Sequence, residues 1–213
     1  MTAAVAVVAG LFGLVIGSFL NVVIHRVPLD RSVRYPAVEV LTGGLFVLVA
    51  LRFGLSPTLP AMFVFVAGLT ALACCDLHGL VLPKRIVYPT GALVAVALIV
   101  AAAGSGSWHR LAVAGACGTG AFVVFFAIHL VSPRAMGFGD VRLAPLIGGT
   151  LGWVGIGYAV AGFMLANFLG AAVGLVIIVA GKGSRRTALP YGVFLAMGAV
   201  AALALGGLVH YPA

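Results

Sequence analysis

The chain has 213 residues, 63% of them hydrophobic, with a mean hydropathy of +1.27 and a formal charge of +8 from 12 Lys and Arg against four Asp and Glu. No water-soluble domain of this size has use for so much apolar surface, which leaves an all-α integral membrane protein that crosses the bilayer several times. The basic excess then calls for no nucleic acid, because Lys and Arg in short loops orient spanning helices.

A spanning helix needs about 20 apolar residues. On that measure the spacing predicts spans at 3–24, 37–54, 58–76, 86–103, 110–131, 143–154, 156–180 and 190–209, a polytopic bundle of about eight helices in a single domain over 1–213. The first run has its basic residues after it, at Arg26, Arg31 and Arg34. A cleaved signal peptide has the opposite order, so this run reads as a retained span. The stretch 143–180 is too long for one crossing, and the glycines at 148, 149, 152, 155 and 157 are expected to break it. Small residues recur four apart at Gly13 and Gly17, and at Gly162, Ala166, Gly170 and Gly174, a spacing that lets helix backbones approach in lipid.

Eight spans put both termini on one side. The loops after spans 1, 3, 5 and 7 share the other side and hold ten of the twelve basic residues, leaving Arg52 and Arg110 opposite. The positive-inside rule then turns those loops to the cytoplasm and both termini outward.

The four acids are Asp30, Glu39, Asp76 and Asp140. Asp76 closes one apolar run and Asp140 precedes another, both on the predicted cytoplasmic side. A carboxylate beside hydrocarbon costs several kcal/mol, roughly 2.5–3.5 on insertion scales, so it is seldom placed there without a role. Two carboxyls brought together share a proton, one serving as base toward a water and the other donating to a carbonyl oxygen; that is peptide hydrolysis without a metal or a covalent intermediate. The plainer alternative pairs Asp140 with Arg134 or Arg142, and Asp76 with Lys84 or Arg85. Nucleophile chemistry fits less well, since no histidine is placed to activate Ser18. His25, His78, His109 and His210 fall at membrane boundaries, and His129 reads as a satisfied polar contact inside a span. No metal-ligand spacing or cofactor motif occurs, and Cys74, Cys75 and Cys117 read as small buried hydrophobes. A protease that cleaves within transmembrane helices, as presenilin does, and a proton- or cation-coupled carrier remain as other uses for two membrane acids.

The wording around the aspartates narrows these choices. Asp76-Leu77-His78-Gly79-Leu80-Val81-Leu82-Pro83, with Arg85 and Pro89 beyond it, resembles the first catalytic motif of the type IV prepilin peptidases. Gly137-Phe138-Gly139-Asp140-Val141-Arg142-Leu143 resembles the second, Gly-x-Gly-Asp-x-Lys-Leu, with Arg142 in the Lys place. Gly17-Ser18-Phe19-Leu20-Asn21 through Pro28, Arg34-Tyr35-Pro36 through Gly43, and Leu189-Pro190-Tyr191-Gly192 through Ala196 resemble the family's other spans, in the right order. The resemblance implies a membrane aspartic endopeptidase that removes the basic leader of type IV prepilins or pseudopilins at the cytoplasmic face of a bacterial inner membrane. It implies Asp76 and Asp140 as the catalytic pair and no cofactor. Gly137 and Gly139 are expected to let the substrate strand and Asp140 come close. Arg142 and Glu39 are the further candidates for substrate binding. Bifunctional members carry a loop with four zinc-binding cysteines between the first two spans. Here 28–36 has no room for it, so cleavage is expected without N-methyl transfer. Finally, Asp76 lies near a helix C-terminus and Asp140 near a helix N-terminus, which places the shared proton on Asp76 and makes Asp140 the base.

Overall fold

A computed structural model describes residues 2–26, 37–133, 136–181 and 189–206. Within them the chain forms eight helices and no strand: α1 Thr2–Arg26, α2 Ala37–Phe53, α3 Leu59–Gly79, α4 Lys84–Ser105, α5 Trp108–Val131, α6 Phe138–Val154, α7 Ile156–Val179 and α8 Tyr191–Leu205. Only helices satisfy their own backbone groups inside lipid without a closed barrel, and the apolar runs are long enough to make them. α1, α3, α4, α5 and α7 are each long and apolar enough to cross a membrane; α8 is a shorter apolar helix. Three buried hydroxyls are satisfied within their own turns: Thr42, Thr70 and Thr150 each donate to the carbonyl four residues back, at 2.7, 2.8 and 2.7 Å.

The helices pack as close hairpins, α1 with α2, α5 with α6 and α7 with α8, around a central α3. In α3, 78% of the spanning residues are buried, against 17% in α5 and α7, whose apolar faces are left for lipid. The small residues predicted to permit close approach do so. A Cβ on Gly17 would lie 2.5 Å from Glu39 Cα, and one on Gly13 2.8 Å from Gly43 Cα, so α1 and α2 meet backbone to backbone. Gly162 and Ala166 of α7 receive Gly198 of α8 in the same way.

Two details around α6 differ from the sequence expectation. α6 begins at Phe138 rather than at residue 143, because Asp140 and Val141 donate to the Gly137 carbonyl and close a first turn that hydropathy reads as loop. Hydropathy locates the part of a helix in hydrocarbon, not its polar first turn. Of the five glycines expected to break the run 143–180, only Gly155, in extended conformation, separates α6 from α7. Gly148 and Gly152 instead lie under Cys117 and Ala121 of α5, where a side chain has no room. The predicted end of the last span at 209, Asp30, His210 and the basic loop residues Arg31, Arg34, Arg134, Lys182, Arg185 and Arg186 lie outside the described residues.

Candidate active site

Asp76 sits in the last turn of α3. The helix ends because Leu80 takes a left-handed backbone, φ 51°, and its N–H closes on the Asp76 carbonyl at 2.9 Å. Leucine seldom adopts that conformation, and holding it there costs energy that the surrounding packing must supply. The chain then delivers Leu82, 7% exposed, and Pro83, whose carbonyl accepts Ile86 N–H at 2.9 Å and Val87 N–H at 3.1 Å to start α4. Proline loses nothing at a helix start, where its N–H would have no partner.

Asp140 lies in the first turn of α6, and its carboxylate faces the backbone N–H of Gly137. α8 packs against both α3 and α6 and brings its first turn to the aspartates. The Val193 N–H donates to Asp76 Oδ2 at 3.1 Å. Asp76 is 5% exposed and Asp140 8%, and they are near enough for their charges to interact. Neither forms an ion pair among the described residues, so the pairings with Arg142, Lys84 and Arg85 are not made. Two buried carboxyls 64 positions apart in sequence therefore lie within electrostatic reach of each other, with no ion-pair partner for either among the described residues. This is an arrangement in which one proton is naturally shared.

Three small-residue positions make the approach possible. A Cβ on Gly192 would lie 2.9 Å from Asp76 Oδ2 and 3.0 Å from Leu82 Cδ2. One on Gly139 would lie 3.0 Å from Leu82 Cβ, and one on Gly137 3.3 Å from Asp140 Oδ2. Leu82 is thus wedged between the first turn of α6 and the start of α8. Gly137 has an ordinary extended backbone (φ −66°, ψ 144°), and neither motif glycine has a positive φ. Both sit where a side chain would press on Leu82 or on the Asp140 carboxylate, so what they supply is space.

The other expected residues are placed less directly. The Arg142 guanidinium lies over the Phe138 ring at 4.5 Å and the Tyr88 ring at 6.0 Å, and its buried Nε has no hydrogen-bond acceptor. It lines a groove of about 580 Å³ between α4, α5 and α6 rather than contacting Asp140. Glu39, in the first turn of α2, accepts the Ser18 hydroxyl at 3.2 Å and touches neither aspartate. His129 Nδ1 is 2.8 Å from the Met136 carbonyl and its ring packs 5.3 Å from Phe138, so it ties the end of α5 to the start of α6. No three His, Cys, Asp or Glu among the described residues could together hold a metal ion.

Sequence reasoning missed Leu82, Gly192, Val193 and Tyr191 as parts of the site. Tyr191 is within electrostatic reach of Asp140 and donates its hydroxyl to Asn167 Oδ1 at 3.1 Å. The signal was present in the Leu82-Pro83 pair and in Pro190-Tyr191-Gly192, but nothing local says that these stretches meet the aspartates. The helix-end argument for the shared proton also loses its basis. Asp76 has the C-terminus of its own helix behind it and the N-terminus of α8 in front, through Val193, so helix ends no longer separate the two groups.

Residues 63–206, which include both aspartates and the start of α8, match the model of the type IV leader peptidase family. A prepilin leader peptidase/N-methyltransferase of Bacillus subtilis (strain 168) is 31% identical over 183 residues, covering 85% of this chain and 68% of that protein. Proteins of the same name from Myxococcus xanthus (strain DK1622) and Burkholderia pseudomallei (strain 1026b) are 31% and 32% identical, covering 85% and 81% of this chain and 66% and 55% of theirs. The chain thus spans between about half and two thirds of the length of these curated relatives. No solved structure matches it significantly. With the match running through the aspartate ends of α3 and α6 and the α8 turn that joins them, the chain belongs to the type IV leader peptidase family.

Proposed function

We propose that the chain is a membrane-embedded aspartic endopeptidase, one transmembrane domain over 1–213, that cleaves the basic leader from type IV prepilins or pseudopilins at the cytoplasmic face of a bacterial inner membrane. The observation that carries this is the buried pair Asp76 and Asp140, within electrostatic reach of each other beside the first turn of α8 and without an ion-pair partner among the described residues. One ionised carboxylate takes a proton from the attacking water while its protonated partner donates to the scissile carbonyl oxygen; the first then gives its proton to the leaving amine as the partner takes one back from a hydroxyl of the tetrahedral intermediate, and the C–N bond breaks. Burial excludes bulk water, so each hydrogen bond to the developing charge counts for more than it would in solvent. Gly137 and Gly139 leave room for an extended substrate backbone beside Asp140. Arg142 and Glu39 bind the substrate outside the reacting pair. The deciding experiment is co-expression with a candidate prepilin, reading its size with and without Asp140→Asn.

A basic leader is attracted by a local acid rather than by the protein as a whole, whose charge is +8. Glu39→Gln is therefore expected to weaken processing of basic leaders modestly, by about 1 kcal/mol or less, in a salt-sensitive way. The check is the cleavage rate of parent and variant across a salt series; parallel curves would remove Glu39 from leader binding.

The cleaved product should keep a free N-terminal amine. The loop that carries the zinc-binding cysteines in bifunctional members has no counterpart in this sequence between its first two spans. Incubating the purified chain with prepilin and S-adenosylmethionine, and weighing the N-terminal peptide by mass spectrometry, is expected to show cleavage without methylation.

A further inference from the structure

At the end of the bundle opposite the aspartates lies a polar cavity of about 620 Å³, bounded by the ends of α2, α3, α5, α6 and α7. Its lining includes Arg52, His109, Arg110 and Ser56. The Ser56 hydroxyl oxygen is buried and has no hydrogen-bond partner. Arg52 Nη2 donates to the Tyr158 hydroxyl at 2.7 Å, which in turn donates to the Gly206 carbonyl at 2.7 Å, so this guanidinium is held at the cavity by a fixed chain of bonds. His109 and Arg110 occupy the first turn of α5, and Ile156 and Gly157 the first turn of α7; first-turn N–H groups have no partner within their helix.

The cavity is rich in donors, and among the described residues that line it there is no acidic side chain to meet them. Glu39 is 13 residues from Arg52 on the same helix, about 20 Å away at the helical rise, and Asp76 and Asp140 sit at the far ends of α3 and α6. Among the described residues neither Arg52 nor Arg110 has an ion-pair partner. Among the described residues no carboxylate lies in reach of either guanidinium, which leaves both open to an anion from outside the chain. The walls also carry Phe53, Val113 and Ile156, the last 60% exposed. A ligand that fits both kinds of wall is anionic at one end and apolar at the other.

We propose that this cavity is a binding site for the phosphodiester head group of an anionic phospholipid in the leaflet opposite the aspartates. The phosphate oxygens take the donors of Arg52, Arg110 and His109, and the acyl chains leave past Ile156. A soluble phosphate would satisfy the donors but not the apolar wall.

The protein contains two tryptophans, and Trp153 lines the cavity, its indole N–H 3.2 Å from Thr58 Oγ1. A Trp108→Phe background leaves it as the single reporter. In vesicles of a zwitterionic phospholipid, brominated phosphatidylglycerol is expected to quench Trp153 at a mole fraction about tenfold lower than brominated phosphatidylcholine, a preference of one charged contact. Arg110→Gln, which breaks no bond seen in the structure, should remove most of that preference, and Arg52→Gln together with it should bring the two curves together. If Arg52→Gln fails to accumulate because the Tyr158 bond is lost, Arg110→Gln alone decides. Equal quenching by the two lipids in the parent would show ordinary boundary lipid and overturn the site. Inorganic phosphate that raises the unfolding temperature in detergent as much as phosphatidylglycerol does, and abolishes the quenching preference, would mean a soluble anion and overturn the lipid assignment.

Discussion

Asp76→Asn and Asp140→Asn are each expected to reduce leader cleavage by about 10²–10⁴-fold, the range for losing one general acid or base, and so below detection in a cell-based assay. The change is isosteric. At position 76 the amide oxygen still accepts the Val193 N–H that now bonds Asp76 Oδ2 at 3.1 Å, so the junction of α3 and α8 survives. No ion pair is broken at either aspartate among the described residues, which removes the usual reason for a buried charge substitution to unfold a protein. The two variants should therefore accumulate in the membrane at parental levels while prepilin stays at its unprocessed size on a gel. The double variant should be no worse than either single one, because the two groups act as a unit. Near-normal processing by either single variant would remove the aspartic mechanism.

The second large effect is expected from a single methyl group. Gly192→Ala places a Cβ 2.9 Å from Asp76 Oδ2 and 3.0 and 3.1 Å from the Leu82 methyls. Those contacts are too short to keep, and the carboxylate, as the free end of a side chain, is what yields. It then leaves the Val193 N–H and its alignment with Asp140. A displacement of about 1 Å at a reacting group costs on the order of 10²-fold in rate, so Gly192→Ala should cleave about 10²-fold more slowly. The backbone of α8 meets no new contact with backbone at this position, and alanine is the better helix former, so accumulation and thermal unfolding should stay near parental. Gly44→Ala on α2 serves as the control: a Cβ there meets nothing within 4 Å, and its rate should be unchanged. Kinetics of a purified pair in detergent, read beside their unfolding curves, separates a misplaced carboxylate from a weakened fold.

The helices and the two acids were legible because each rests on a local rule. A run of apolar residues must become a helix in lipid whatever its neighbours do, which set the existence of all eight and the limits of α5 and α7 to within two residues. A carboxylate at the end of such a run stands out by cost alone, which marked Asp76 and Asp140. His129 read as a satisfied contact inside a span, and its bond to the Met136 carbonyl at 2.8 Å agrees.

The partners of those acids are a property of the fold. Val193 donates to Asp76 across 117 positions of sequence, and although Pro190-Tyr191-Gly192 marks the start of α8, nothing local says that it meets Asp76. The glycines show the same division. Their spacing announced close approaches, but only packing decided that Gly148 and Gly152 seat α5 while Gly155 parts α6 from α7, and that Gly139 makes way for Leu82. A pairing of Asp140 with Arg142 was one alternative the sequence left open; a helical turn sends residues two apart to different faces, and the side chain lies on Phe138 and Tyr88 instead. The sequence by itself determined that the chain crosses a membrane as a helical bundle and that two acids lie at its boundary, since solvation energy acts on each segment alone. Which groups face those acids was decided only by the tertiary structure, because α8, 50 and more residues from Asp140, closes the site through hydrogen bonds and space that no local pattern encodes.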